Sequence, residues 1–159
     1  MRSLSKADEL VTCVLQDGPI SIEVNRTFSA QFEGYWDSDY RTIHVSKEQH
    51  SSNGALLCTI LFELHNASRN SDFNELYQRA ATGQIDKRSY VRQMEYLEYQ
   101  NARATSLLLN EGIEQGLFPE SAYWPIADDF EEHLSYQKAS GHSDWLGGSY
   151  DYWAQSSAG

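Results

Sequence analysis

Basic residues are scarce in this chain: Lys and Arg total 12 against 23 Asp and Glu, a formal charge of -11. A field of that sign repels a phosphate backbone, and no basic stripe along the sequence offsets it locally, so nucleic acid is not expected as a ligand. Long hydrophobic runs are missing too. No window approaches the roughly 18 uninterrupted apolar residues that span a bilayer, and the start, Met1 to Lys6, leads into polar residues rather than a signal-peptide core. The expectation is a chain without a membrane span, cytoplasmic or delivered by a signal-peptide-independent secretion route. Only two cysteines occur, Cys13 and Cys58. Both sit in apolar helical patterns, which favours buried free thiols and a reducing compartment over a disulfide.

Several chemical signatures are also absent. There is no G-x-S-x-G, no G-x-x-x-x-G-K-[ST] and no G-x-G-x-x-G, so a nucleophile elbow and both phosphate-cradling loops lack support. The five histidines, His44, His50, His65, His133 and His142, form no H-x-H or H-x-x-x-H pair. Asp37 and Asp39 do not complete a calcium-loop pattern. No metal and no cofactor is therefore expected, and no internal repeat marks a solenoid.

What is present reads as one globular domain over residues 1–159. The chain is 40% hydrophobic and 13% aromatic, enough to bury a sizeable core. Ala7, Leu10, Val11, Val14 and Leu15 recur at helical spacing after Ser5, with one face expected to be buried, and Asp17-Gly18-Pro19 stops them. Period-two alternation at residues 20–24, 28–32 and 40–45 predicts a small antiparallel sheet of about three strands within 20–45. The aromatic stretch Gly34 to Tyr40, with Trp36, reads as a hairpin turn packed on the core or as the lining of a binding groove. A central helix over about 53–68 is apolar nearly all round, Ser71 opens a segment closing on Gly83, and Asp86 caps a long helix over about 87–111. The fold class is α+β, helix-rich.

Residues 119–159 differ in character, with seven acids against the single base Lys138. A short helix over about 126–139, ended by Gly141, precedes an aromatic tail with Trp145, Tyr150, Tyr152 and Trp153. This extension is either packed on the domain or used as an interface, with Asp128, Asp129, Glu131 and Glu132 as its acidic face.

The central helix carries the suggestive motif. Glu63 and Asn66 lie three apart on one face of an apolar helix and need partners if buried. Those partners could be Tyr96, Tyr99 or Gln100 of the long helix, making a structural polar network. Alternatively Glu63 is a functional carboxylate paired with Glu95 or Glu98, themselves three apart. The order of strand Thr42-Ile43-His44-Val45, polar loop, apolar helix Phe62-Glu63-Leu64-His65-Asn66 and a downstream Glu-bearing helix resembles the zincin metallopeptidases over about residues 40–110. It is similar as well to bacterial metallopeptidase-like families associated with secreted toxins and effectors. The resemblance implies that 42–45 is a sheet-edge strand holding substrate along His44 and Val45, and that Glu63 stands where H-E-x-x-H has its glutamate. Both ligand histidines are replaced, by Phe62 and Asn66, and neither phenylalanine nor an amide is a zinc ligand of the usual kind.

Two functions follow as expectations. One is a metal-free zincin-like protein-binding domain of a bacterial effector or toxin/immunity system, acting through its acidic surface on a basic protein partner. The other is a peptidase-like hydrolase with Glu63 as general base and Asn66 with Glu95 or Glu98 orienting substrate.

Overall fold

The computed structural model describes residues 4–25 and 33–156. The chain divides into two compact units: Met1–Ser68 with Asn101–Pro125, and Arg69–Gln100 with Ile126–Gly159. No helix among the described residues is long and apolar enough to cross a membrane.

Unit 1 begins with α1 (Ser5–Leu15), followed by β1 (Ser21–Asn25), β2 (Gly34–Asp37), β3 (Thr42–Ser46), a single 3-10 turn, and α2 (Asn53–Ser68). The sheet order is β1-β3-β2. β2 and β3 pair antiparallel, whereas β1 pairs parallel to β3, so the sheet is mixed rather than wholly antiparallel. Residues 42–45 therefore occupy the centre of the sheet, which corrects their expected place at its edge. The alternating run at 28–32 lies outside the described residues, and the second strand falls at Gly34–Asp37, where a turn was expected. The turn comes afterwards: Asp37 Oδ1 accepts the backbone N–H groups of Asp39 and Tyr40 at 3.0 and 3.2 Å. Gly34 is required there, because a Cβ would meet Thr59 Cγ2 of α2 at 2.5 Å and the His44 carbonyl at 3.0 Å.

Ile43 and Val45 are fully buried under α2, whose Cys58, Leu61 and Leu64 complete the core with Leu108 and Leu109. Each such side chain contributes roughly 1.5–3 kcal/mol by leaving water. α1 contributes Leu10 and Val14, but Val11 and Leu15 stay exposed. Cys13 is exposed as well, so only Cys58 is the buried thiol expected of both, and both are free.

Unit 2 holds α3 (Asn70–Ala81), the first half of α4 (Lys87–Glu114), α5 (Phe130–Ser140) and α6 (His142–Ser156). Asn70 opens α3 with no side-chain cap, so the capping expected of Ser71 is not made. Asp86 does cap α4, its Oδ1 accepting the Ser89 N–H at 2.9 Å. Phe73, Leu76, Ile85, Tyr90, Met94 and Leu146 form a second core. The aromatic segment beyond Gly141 is a helix, held by Tyr150 Oη donating to the Ile85 carbonyl and by Trp153 stacking on Tyr77.

Candidate metal centre

Two buried glutamates anchor two separate polar clusters. In unit 1, Glu63 is 6% exposed, and its Oε2 accepts from Asn66 Nδ2 at 2.9 Å. Asn66 Oδ1 in turn accepts from Asn101 Nδ2 at 2.8 Å. This is a buried polar network of the kind foreseen for the pair, with Asn101 as a further member. The rest of the motif is similarly occupied. Phe62 stacks on Trp124 with centroids 5.1 Å apart, and His65 Nδ1 faces the Leu61 carbonyl and Thr105 Oγ1 at 2.8 and 3.0 Å. Burial lowers the His65 pKa, partly offset by that carbonyl.

Unit 2 contains the second cluster. Glu95 and Glu98 share one face of α4 by their spacing of three. α5 ends at Gly141, whose φ of +85° suits a residue without Cβ, and α6 starts at once with His142. That tight reversal brings His133, from the first turn of α5, and His142 to the same glutamate. Glu95 has a fully buried side chain. Its Oε1 accepts from Ser143 Oγ at 2.8 Å and from His142 Nδ1 at 2.9 Å. Its Oε2 faces His133 Nε2 at 3.6 Å, too long for a hydrogen bond. Both of those atoms are buried without a hydrogen-bond partner. On the far side of the imidazole, His142 Nε2 lies 3.4 Å from Glu98 Oε2.

The electrostatics are strongly polarised. Burial, the largest influence on Glu95, raises its carboxyl pKa, but the His133 and His142 imidazoles and the Ser143 hydroxyl outweigh it and bring it down to about 2. Glu98 moves the other way: burial and the Glu95 charge push it up to about 7 against the pull of His142 and His133. Burial lowers the His142 pKa, yet its two carboxylate neighbours prevail and the net shift is upward.

Glu95, Glu98 and His142 each offer a ligand atom within 4.8 Å of the others. Donors about 2.1 Å from one ion at a tetrahedral angle stand ~3.4 Å apart, close to the 3.4 and 3.6 Å separations of Glu98 from His142 and Glu95 from His133. Two carboxylates and two imidazoles suit a divalent first-row transition ion.

The remaining sequence candidates are dispersed. Val45 is wholly buried in the unit 1 core and has no surface to offer substrate, which corrects its expected role. His44 sits between neighbours across the sheet, stacked on Tyr35 with centroids 4.7 Å apart and 3.5 Å from Glu23 Oε2. Trp36 packs against the core, with the Arg41 guanidinium 5.7 Å over its ring. Asp129 caps α5 by accepting the Glu132 N–H, Glu132 Oε2 accepts the Asp128 N–H, and Glu131 pairs with Arg92. Glu63 falls in unit 1 and Glu95 with Glu98 in unit 2.

Two of the five histidines read as scattered, His133 and His142, are thus gathered by the fold. The signal was faint: two glutamates one helical turn apart, and two histidines nine positions apart flanking a helix-ending glycine. No basic stripe runs along the sequence, yet the fold gathers Lys87, Arg88, Arg92 and Lys138 around one groove of unit 2. No family model matches the chain, and no curated protein and no solved structure matches it.

Proposed function

We propose that this protein binds a divalent first-row transition ion through Glu95, Glu98 and His142, with His133 beside them, and that the ion serves metal-assisted hydrolysis. The observation that carries the reading is the pair of buried atoms, Glu95 Oε2 and His133 Nε2, that make no hydrogen bond and face each other at 3.6 Å inside the cluster. Leaving a buried polar atom unpaired costs roughly 1–3 kcal/mol, and a cation between them would satisfy both. Such an ion supplies Lewis acidity and lowers the pKa of a bound water. This reading keeps the hydrolase expectation but moves its carboxylates from Glu63 to the α4 pair.

Elemental analysis of protein purified without chelator, followed by calorimetric titration of zinc and manganese into chelator-treated protein, tests it. Stoichiometric, saturable binding is expected. An absence of binding by both ions overturns the proposal.

A second reading, capture of a basic protein partner as in a toxin/immunity or effector setting, draws on the charge of -11 and on the exposure of Asp128, Asp129 and Glu131. Its readout is the salt dependence of partner binding, which charge reversal at those positions should reduce. Unchanged binding would exclude that face.

A further inference from the structure

Four of the chain's 12 basic residues line a single groove of unit 2, although the whole chain carries -11. Lys87, Arg88 and Arg92 project from the first half of α4 and Lys138 from α5, around a volume of about 770 Å³. That is the size of a small-molecule site rather than of a flat protein interface. Val91 and Leu134 add an apolar wall. The one carboxylate in the lining is Asp144.

The charges are placed to be used. Lys87 meets Asp151 at 2.6 Å, with both side chains about half exposed, and Arg92 meets Glu131 with both more than half exposed. Exposed pairs of this kind hold their partners weakly, so an incoming anion can replace the carboxylates at little cost. Arg88 and Lys138 are exposed. Two guanidinium forks flanked by two ammonium groups match a tetrahedral oxyanion, whose oxygens take bidentate hydrogen bonds. The groove also reaches the cluster described above: Ser143 lines it, and its hydroxyl lies 2.8 Å from Glu95 Oε1.

We infer that this groove binds the phosphate group of a small molecule, with Arg88, Arg92, Lys87 and Lys138 holding the oxyanion and Val91 with Leu134 packing against the organic body. The site stands on residues other than the proposed metal ligands and does not require the ion to be present. Its ligand is a phosphate ester or free phosphate, which share the oxyanion and differ in whether the apolar wall contributes.

Calorimetric titration of inorganic phosphate and of phenyl phosphate into the full-length, chelator-treated protein at low salt tests the inference. Saturable binding of at least one is expected, and tighter binding of phenyl phosphate assigns the groove to an ester, equal binding to the free anion. Arg88→Glu and Lys138→Glu should each weaken it about tenfold, the size of a lost charge-assisted contact. Lys47→Glu, a charge reversal in unit 1, should leave it unchanged, and circular dichroism checks that each variant folds. No saturable binding of either probe, or equal weakening by Lys47→Glu, overturns the inference. Metal titration of the same samples reports separately: ion binding without phosphate binding defeats the groove alone, and phosphate binding without ion binding defeats the metal reading alone.

Discussion

Glu63 and Glu95 are both buried helical glutamates followed three residues later by a polar side chain, Asn66 and Glu98. Around Glu63 stand two amides, each donating to the group before it: Asn66 to Glu63 and Asn101 to Asn66. Around Glu95 they are a second carboxylate and two imidazoles, and one oxygen and one nitrogen are left facing each other unsatisfied. Amides complete a shell by themselves, because each carries both donor and acceptor. Carboxylates and imidazoles at the same spacing lack that matched set of donors and acceptors, and the proposed ion would supply the missing charge.

The largest difference should appear in metal affinity. Glu95→Gln should weaken ion binding by about 100-fold or more, beyond what loss of an outer-shell partner costs, while Glu63→Gln leaves it unchanged. An equal loss in both variants, read by calorimetry, would break the comparison. Next, saturating metal at about 100 times its dissociation constant should stabilise the protein by ~2.7 kcal/mol. At roughly 2–4 °C per kcal/mol, the melting temperature should rise accordingly and fall back with chelator. The same addition to Glu95→Gln should stabilise it by no more than ~0.4 kcal/mol.

Asn66→Ala should destabilise the fold by roughly 1–3 kcal/mol by removing the donor to buried Glu63, with Asn101→Ala costing less because it leaves that donor in place. Denaturant unfolding measures both, and metal affinity should not change in either. The smallest effect concerns pH. Glu98 has its carboxyl raised from 4.5 to about 7, so its contribution is fully present below 4.5 and is lost as pH rises through 7. His142, also raised, acts in the same direction above 6.5. Glu95, lowered from 4.5 to about 2, contributes stability above 4.5 that disappears only as pH falls toward 2. Chelator-treated protein should therefore be more stable near pH 5 than near pH 8, by on the order of 1 kcal/mol. Bound metal, which requires the deprotonated ligands, should flatten that slope. A flat profile without metal would show that Glu98 is not held protonated.

Much of the fold was legible in the residues. The apolar run at 55–67 yields α2 at Asn53–Ser68, and Asp86 opens α4 as its side chain suggests. The Glu63–Asn66 pair was legible as a buried network because both members sit on one helix. Its third member was not: any polar residue on the facing helix satisfies the same demand, and only packing selects Asn101. The β1–β3 pairing was misread for a related reason, since alternation marks a strand but carries no information about the direction of its neighbour. The basic groove escaped notice because Lys138 lies some fifty positions from Lys87, Arg88 and Arg92, so no local stripe of charge appears.

The sequence by itself determined helices α1 to α5, the Asp86 cap, the acidic balance and the shared face of Glu95 and Glu98, all of which depend on neighbours within a few positions. Tertiary structure alone decided which glutamate acquires histidines. Glu95 and His142 are 47 residues apart and meet at 2.9 Å only because α6 packs where it does. Contacts of that range are set by how helix faces bury one another, which short-range spacing does not encode.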